Sequence, residues 1–208
     1  MIDHVDARSS DRPRLPPGQV ATRKWPVLHY GTVPMVEPAG WTLEVSGEVR
    51  TPYTLTWTEL EALPRQEVAC DMHCVTHWTR FDNLFEGVPL APIVERAGVK
   101  AGAKFVLVHA EQGFTTNLPL EDFLQPGNLI ALRHNDAPLT PEHGGPVRLL
   151  VPHLYLWKSA KWVTGFEFLD EDYPGFWEQN GYHSRGNPWD EERYGRADPV
   201  RMLRGPRG

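Results

Sequence analysis

Proline and glycine are so frequent in this chain that they restrict its fold more than any other feature. Its 208 residues include 20 prolines and 18 glycines. Proline fixes φ and removes a backbone donor, and both residues favour turns, so we expect many turns and few long helices. The hydrophobic share of 40% is enough for a sizeable core, and the length is typical of one domain, with or without an elaboration.

Short segments with the composition of strands recur between turn signals. Alternation, or β-branched and aromatic residues, predicts strands at 41–49, 66–74, 104–110, 129–134, 146–152 and 161–169. Thr56 and Glu59 have the spacing of a capping box, which predicts a short helix over residues 56–64. A second helix is predicted over residues 89–98, ending at Gly98. Consecutive strands with few helices predict a mixed, β-rich α+β fold.

The first 24 residues are polar and rich in proline and arginine. We expect residues 1–24 to form a flexible or wrapping arm and residues 25–208 to form a single domain. No apolar run approaches the roughly 18 residues of a membrane helix, and the N-terminus lacks the apolar region of a signal peptide. We therefore expect a cytoplasmic protein with reduced thiols. A net charge of −6 argues against nucleic acid or an anionic membrane as the main partner.

Both cysteines lie in the segment VACDMHCVTHWTRFD, residues 68–82. On a strand, Cys70 and Cys74 share one face and His73 points to the other. Three interpretations are open: buried core thiols, a zinc site that adds His73 and His77, or a single thiolate for a heavier metal. The spacing is poor for zinc, because structural zinc sites usually draw ligands from two separated clusters. Cys70 is flanked by apolar residues and fits a core position, whereas Cys74 begins a polar loop.

A second polar cluster lies in residues 142–168. A His-Gly-Gly-Pro turn leads into a strand with Arg148, and Lys158, Ser159 and Lys161 follow. Arginine and lysine donors beside a glycine-rich turn are typical of a phosphate or other anion site. The alternative is a solvated edge strand on which lysine prevents aggregation. In a net acidic chain, we favour the anion site for the cluster as a whole.

Four motifs follow one another in the region between residues 25 and 190. They are a cysteine followed by FEGVPLAPIVERAG, then HGGPVRLLVP, WKSAKWV and WEQNGYHSRGNP. In order and spacing they resemble the molybdenum-pterin domain of the sulfite oxidase family, and in particular its short bacterial members with the cofactor domain only. The resemblance implies the β-rich molybdopterin-binding fold of that family and a molybdopterin-dependent oxidoreductase.

The resemblance also implies a role for each matching residue. Cys74 would be the protein thiolate on molybdenum, and Tyr182 and Arg80 would lie near the substrate. The segment HYGTVP resembles the first cofactor-binding loop of the family. Residues expected to hold the pterin and its phosphate are His29, Tyr30, Gly31, His143, Arg148, Lys158, Ser159 and Lys161. The implied cofactor is molybdenum-molybdopterin (Mo-MPT), and the implied partners are a small-molecule substrate and an external electron carrier.

The substrate expectation depends on charge near the metal cysteine. Sulfite is a dianion, and sulfite oxidases surround it with arginines, including a pair shortly after that cysteine. Here only Arg80 is present, with Asp82 beside it, and an aspartate repels a dianion. We therefore expect a weak sulfite oxidase at best and favour reduction of an S-oxide or N-oxide. The alternative functions are a zinc-stabilised binding domain and a metal-free relative without catalysis.

The two cysteines are expected to respond differently to replacement by alanine. Cys74→Ala should retain pterin but lose turnover, because it removes the implied metal ligand. Cys70→Ala should remain active and be at most mildly destabilised, because Cys70 is expected in the core. Pterin content, metal content and steady-state turnover of the two variants test this. Equal loss of activity and of bound metal in both would instead support the four-ligand zinc site.

Overall fold

The computed structural model describes residues 2–8 and 10–195. These residues form twelve strands: β1 (Asp3–Asp6), β2 (Val20–Ala21), β3 (Thr42–Gly47), β4 (Tyr53–Thr56), β5 (Gln66–His73), β6 (Trp78–Pro89), β7 (Phe105–Ala110), β8 (Thr115–Pro119), β9 (Leu129–His134), β10 (Ala137–Pro138), β11 (Arg148–Leu150) and β12 (Val163–Leu169). The α-helices of this part of the chain are α1 (Trp57–Ala62), α2 (Ala91–Ala97), α3 (Leu120–Phe123) and α4 (Phe176–Gln179). Single 3₁₀ turns occur at Pro38–Gly40, Glu111–Gly113, Pro141–His143 and Leu156–Lys158. None of the helices described is long and apolar enough to cross a membrane.

The strands form two mixed sheets. In the first sheet the order is β1-β5-β6-β9-β10, with β2 paired to β6 and β11 paired to β9. In the second sheet the order is β4-β3-β12-β7-β8. The pairs β1/β5, β2/β6 and β3/β12 are parallel, and the remaining pairs are antiparallel. Mixed sheets with a few short helices confirm the predicted α+β fold.

Local sequence signals account for where the helices begin and end. The Thr56 hydroxyl accepts the backbone N–H of Glu59 at 3.3 Å, and the Glu59 carboxylate accepts the backbone N–H of Thr56 at 2.9 Å. This reciprocal pair is the predicted capping box at the start of α1. Gly98 adopts a left-handed conformation with φ of 61° and ends α2. The predicted strands are also present, most of them shortened by one to three residues.

The main core lies between the two sheets. It combines Val88 and Ile130 of the first sheet with Val45, Phe166 and other residues of the second. Phe123 of α3 is fully buried and packs edge-to-face on Phe166, with 5.0 Å between ring centroids. Each such fully buried side chain stabilises the fold by about 1.5–3 kcal/mol. A smaller core on the first sheet contains Cys70, which is 0% exposed.

The described part of the N-terminal arm lies on the first sheet. Strand β1 extends β5 in parallel, and β2 pairs with the start of β6. Arg14 forms an ion pair with the buried carboxylate of Asp71 at 2.6 Å, and Trp189 donates its indole N–H to the Pro13 carbonyl at 2.9 Å. The arm therefore wraps around the body. The predicted boundary at residue 25 stays a prediction, and residues 196–208 lie outside the described residues.

A buried ion pair attaches the C-terminal segment, residues 170–195, to the second sheet. The Lys158 ammonium donates to Glu178 at 2.6 Å, to the Ser184 carbonyl at 2.6 Å, and to the backbone and side-chain oxygens of Asn117 at 2.7 and 2.9 Å. The Lys158 and Glu178 side chains are 0% and 1% exposed. Glu178 also accepts the indole N–H of Trp157 at 2.9 Å. These bonds hold the segment around α4 against β8.

Removing one partner of this pair should be far more damaging than removing both. Glu178→Ala leaves the Lys158 charge buried without its anion, and we expect a loss of about 3–5 kcal/mol in the free energy of unfolding. The double variant Lys158→Met, Glu178→Leu removes both charges and should lose less. Equilibrium unfolding in urea measures each loss, with the exposed Glu171→Ala as a control within about 0.5 kcal/mol of the parent. A double variant less stable than Glu178→Ala would contradict this account.

Candidate functional site

Cys74 lies directly after β5, at the start of a tight turn that we name the Cys74 loop, residues 74–78. The backbone N–H of Cys74 donates to the Trp78 carbonyl at 2.9 Å, and that of His77 donates to the Cys74 carbonyl at 3.2 Å. His77 closes the turn with a positive φ of 69°. The Cys74 residue is only 6% exposed, and its sulfur lies 3.1 Å from the Thr76 hydroxyl. Burial raises the pKa of the Cys74 thiol.

The Cys74 thiol faces a cavity of about 340 Å³. Large rings form much of its lining, among them Trp25, Trp78, Trp157, Trp162, Trp177 and Tyr182. Tyr182 stacks on Trp177 with 4.9 Å between centroids and meets Trp157 edge-on at 5.2 Å. Burial raises the pKa of the Tyr182 phenol, so it stays protonated at neutral pH. The cavity therefore combines one thiol with a hydrogen-bond donor and an apolar, aromatic surface.

The structure brings most of the predicted site residues to this cavity. Those that line it are His29, Tyr30, Cys74, Arg148, Ser159, Lys161 and Tyr182. Tyr30 is 53% exposed and packs on Phe176 at the mouth, with 4.3 Å between ring centroids. Ser159 is buried and its hydroxyl accepts the backbone N–H of Val151 at 2.9 Å. Segments that are far apart in the sequence thus meet at one cavity.

Five basic side chains meet beside the cavity, and we name them the basic cluster: Arg80, His134, His143, Arg148 and Lys161. The ring of Trp25 lies among them. It stacks on His143 with 3.8 Å between centroids and lies 4.5 Å from the His134 ring. Burial, together with the neighbouring cations, lowers the pKa of both histidines to about 4. Burial and the Arg148 charge lower the pKa of Lys161 to about 7.

No carboxylate forms an ion pair with the cations of the basic cluster in the described part of the chain, although the charge of the exposed Glu142 acts on Lys161 and His143. Within residues 2–8 and 10–195, no carboxylate oxygen lies within 4 Å of the charged nitrogens of Arg80, Arg148 or Lys161. Arg148 is 2% exposed and donates to the backbone carbonyls of His143 and Ser159 at 2.9 and 2.8 Å. Buried positive charge that meets only neutral acceptors favours an added anion.

Two glycines shape the backbone around this site. Gly144 has a φ of 101°, and a Cβ there would lie 3.0 and 3.1 Å from the Cβ atoms of Lys161 and Arg148. The His-Gly-Gly turn can therefore pack directly on the two cations. Gly31 has a φ of 70°, and a Cβ there would lie 2.3 Å from the Gln112 side-chain oxygen. Gly31 is thus needed for its backbone conformation, and it does not line the cavity.

Lys158 was predicted to bind the cofactor, but the structure does not bring its ammonium to the cavity. The three N–H groups of Lys158 are shared among acceptors of Asn117, Glu178 and Ser184. None remains for a phosphate. Lys158 and Lys161 lie three residues apart across the 3₁₀ turn and Ser159, so they point in different directions. Lys158 instead attaches the C-terminal segment to β8 through its bonds to Asn117 and Glu178.

Arg80 was predicted to lie near the substrate, and the structure places it outside the lining of the Cys74 cavity. Its guanidinium hydrogen-bonds to the Asn83 side chain and to His134 Nε2, the latter at 2.9 Å. Arg80 therefore belongs to the basic cluster and does not line the Cys74 cavity. The Asp82 carboxylate is exposed and pairs with Arg8 and Arg14 of the arm at 3.3 and 2.7 Å. Asp82 is thus not the negative group near the pocket that the sequence suggested.

The zinc interpretation finds no support in this geometry. Within the described ranges, no group of three or more His, Cys, Asp or Glu side chains is placed to hold a metal ion. His73 is bonded to the Thr79 hydroxyl at 2.9 Å, and His77 to the Gly18 carbonyl at 2.8 Å. Cys70 lies in the smaller core, and burial raises the pKa of its thiol.

Four residues that the sequence analysis left out contribute to the site. Trp25 and His134 complete the basic cluster, while Gln19 and Arg193 bond to the Cys74 loop. The pterin resemblance began near Trp25 but gave this residue no role. Gln19 lies in a segment expected to be an arm, and Arg193 lies beyond the last motif. No local pattern marks either of them, because their contacts depend on the path of the chain.

Comparison with known proteins identifies the family of this chain. Residues 30–177 match the family described as "Oxidoreductase molybdopterin binding domain". The "Uncharacterized oxidoreductase YuiH" of Bacillus subtilis (strain 168) is 52% identical over 189 residues, which cover 90% of this chain and 96% of that protein. A "Putative protein-methionine-sulfoxide reductase subunit YedZ1" of Azospira oryzae is 29% identical, over 80% of this chain and 64% of the relative.

Longer relatives share this unit and extend beyond it. The mitochondrial sulfite oxidase of Drosophila melanogaster is 25% identical over 85% of this chain but only 36% of its own length. The crystal structure of the sulfane dehydrogenase SoxCD from Paracoccus pantotrophus superposes with a TM-score of 0.66 and 21% identity, over 77% of this chain and 47% of that one. The superposition shows the shared fold. The family match and the 52% identity show that this chain belongs to the molybdopterin-binding oxidoreductases of the sulfite oxidase type.

Proposed function

We propose that this protein binds Mo-MPT and transfers an oxygen atom from a small S-oxide or N-oxide, with electrons from an external carrier. One observation carries the proposal: Cys74 lines the same cavity as Arg148 and Lys161, two cations that form no ion pair with a carboxylate among the described residues. A thiol alone or a group of buried cations alone would have several explanations. Together, beside one cavity, they would fit the metal and the phosphate of a single bound cofactor.

The residues beside the cavity fit the phosphate end of the cofactor. A phosphate accepts charge-assisted hydrogen bonds from arginine and lysine, and it would neutralise the cations at Arg148 and Lys161. His143 Nδ1 is buried and has no hydrogen-bond partner among the described residues. Trp78 lines the cavity, and its buried indole N–H also lacks a partner among the described residues. Two buried polar atoms beside the proposed pterin site are thus left without partners.

The Cys74 thiol fits the metal end. When bound, Mo-MPT supplies two-electron oxygen-atom transfer, which the protein side chains cannot perform. Cys74 would contribute a sulfur ligand of the soft type that suits such a metal. Because burial raises the pKa of its thiol, Cys74 is protonated in the cofactor-free protein and would release that proton when it binds the metal. The tight Cys74 loop fixes the direction of the sulfur.

The walls of the cavity favour a neutral oxide as substrate. Reduction of an oxide consumes two electrons and two protons and releases water. The protonated Tyr182 hydroxyl can donate a hydrogen bond to an oxide oxygen, and Trp157 and Trp177 offer apolar contact to its substituents. Asp82 pairs with Arg8 and Arg14 and so does not repel a dianion in the cavity. The preference for a neutral oxide over sulfite therefore depends on the aromatic walls. YedZ1 and a Campylobacter jejuni relative, which is 27% identical, carry the names of protein-methionine-sulfoxide reductases, the former as a putative one. These names favour an S-oxide as substrate.

The electron donor is proposed to be a separate protein or carrier. The names of the same two relatives describe them as a subunit and a catalytic subunit, and a subunit works with a further chain. The cytoplasmic location expected from the sequence stays a prediction.

Metal content and substrate kinetics test the proposed function together. We expect stoichiometric molybdenum by mass spectrometry and a thiolate-to-metal absorption band, and zinc or no metal would contradict the proposal. The purified protein should then reduce sulfoxides or N-oxides with a dye donor, at a kcat/KM far above that for sulfite with a dye acceptor. A higher kcat/KM for sulfite would overturn the substrate assignment and leave the cofactor assignment standing.

Lys161 provides a test of the phosphate end. Lys161→Glu replaces a charge-assisted bond with repulsion and should weaken cofactor retention by about tenfold or more. Cofactor binding needs the protonated ammonium, whose pKa in the free protein is about 7. Above that pH, binding must take up a proton, so retention should fall between about pH 7.5 and about pH 9. Lys161→Arg stays charged over this range and should abolish the pH dependence.

Pterin fluorescence after gel filtration measures retention in both Lys161 variants. Lys104→Glu, a lysine outside the cavity, controls for the change in net charge. Full cofactor occupancy in Lys161→Glu would contradict a phosphate at this position. The same pH dependence in Lys161→Arg as in the parent would show that another group titrates.

A further inference from the structure

The backbone of the Cys74 loop is bonded by side chains from two distant parts of the chain. Gln19 of the arm donates its side-chain N–H to the Cys74 carbonyl at 3.0 Å. Arg193 of the C-terminal segment donates to the Val75 carbonyl at 2.7 Å. The two acceptors are consecutive, so the two peptide units that follow the Cα of Cys74 are each bonded by a distant side chain.

Further contacts join the arm to the same loop. The Val20 N–H donates to the His77 carbonyl at 2.9 Å, and the His77 ring is bonded to the Gly18 carbonyl at 2.8 Å. Arg193 also reaches the Pro17 carbonyl at 3.4 Å. The arm and the C-terminal segment therefore touch each other as well as the loop, and together they enclose it.

The two side chains are buried, and that of Arg193 is incompletely satisfied. Gln19 is 7% and Arg193 6% exposed. Arg193 Nε has no hydrogen-bond partner within the described residues. The Arg193 guanidinium lies 5.0 Å from the centre of the Tyr155 ring. Burying an unpaired donor of a charged group costs stability.

The positive charge of Arg193 is also weakly neutralised. The nearest carboxylate among the described residues is that of Glu191, 3.9 Å away with a side chain 52% exposed. The water around Glu191 screens this pair. A buried cation beside the Cys74 loop acts on charge at the sulfur more strongly than it would in water.

We propose that Gln19 and Arg193 are positioning residues that fix the Cys74 loop, and that the Arg193 charge favours the reduced state of the centre to which Cys74 binds. The proposal rests on the function proposed above, in which Cys74 is the metal ligand. Gln19 acts through the Cys74 carbonyl and carries no charge. Arg193 acts through the Val75 carbonyl and through its charge. The two residues should therefore give different results when each is replaced.

Labelling of Cys74 in cofactor-free protein tests the positioning role without any metal. In a Cys70→Ala background, Gln19→Met removes the donor at similar side-chain length and changes no charge. We expect N-ethylmaleimide to label Cys74 about tenfold faster at a fixed neutral pH, because the loop opens more often once a buried hydrogen bond is lost. Arg185→Lys, in the same C-terminal segment but paired with Asp122 at 2.8 Å, should change labelling less than twofold. Equal rates in the parent and in Gln19→Met would overturn the positioning role.

The reduction potential of the loaded protein tests the charge. Arg193→Met should lower the potential relative to the parent, whereas Arg193→Lys keeps the charge and should restore most of it. A merely structural role of Arg193 predicts equal shifts in both variants, and that outcome would overturn the charge effect. Melting temperatures of all variants confirm folding, and Gln19→Ala replaces Gln19→Met if the latter does not fold.

The two measurements separate this proposal from the proposed function. If the protein binds no molybdenum, the function is refuted, and the labelling rates still decide whether Gln19 holds the loop. If molybdenum is present and neither labelling nor potential changes, the function stands and the positioning proposal is wrong.

Discussion

Removing a guanidinium or an ammonium from water costs several kcal/mol unless an anion or well-placed acceptors replace the lost hydration. In this protein the Arg148 guanidinium is surrounded by backbone carbonyls, and the Lys161 ammonium donates to the Leu28 and Glu142 carbonyls at 2.8 and 2.5 Å. Carbonyl dipoles satisfy the donors but leave the net charge in place. The glycine turn at Gly144 and the Trp25 ring then bring further basic groups to the same point. An anion bound at this point would neutralise the net charge of these groups.

The rest of the structure supplies what surrounds that charge. The first sheet carries both Cys74 and Arg148 to the cavity, since Cys74 follows β5 and Arg148 begins β11, which pairs with β9 of the same sheet. The C-terminal segment contributes Trp177 and Tyr182 to the lining of the cavity. The Lys158–Glu178 ion pair attaches this segment to the rest of the fold. The two neighbouring lysines thus differ: Lys158 forms a buried ion pair, whereas Lys161 lines the cavity and pairs with no carboxylate among the described residues.

Part of this site could be predicted from the sequence. Cys74 and Lys161 lie in short motifs whose order matches the family, so their convergence followed from the resemblance. The roles of Lys158 and Arg80 could not be predicted, because each depends on which distant acceptor its side chain meets. Trp25 was missed for a different reason: stacking between histidines has no signature in sequence. The fold itself was predictable because strand alternation and the α1 capping box are local signals.

The way in which Gln19 and Arg193 enclose the Cys74 loop has a consequence for biosynthesis. Gln19 is synthesised early, whereas Arg193 is among the last described residues to be synthesised. During synthesis, the loop can acquire its arm contacts but not the bond from Arg193 to the Val75 carbonyl. Contacts of such large sequence separation require distant parts of the chain to meet. The bond from Arg193 to the Cys74 loop can therefore form only once residue 193 has been synthesised, long after the residues that close the turn itself, Cys74 to Trp78, are present.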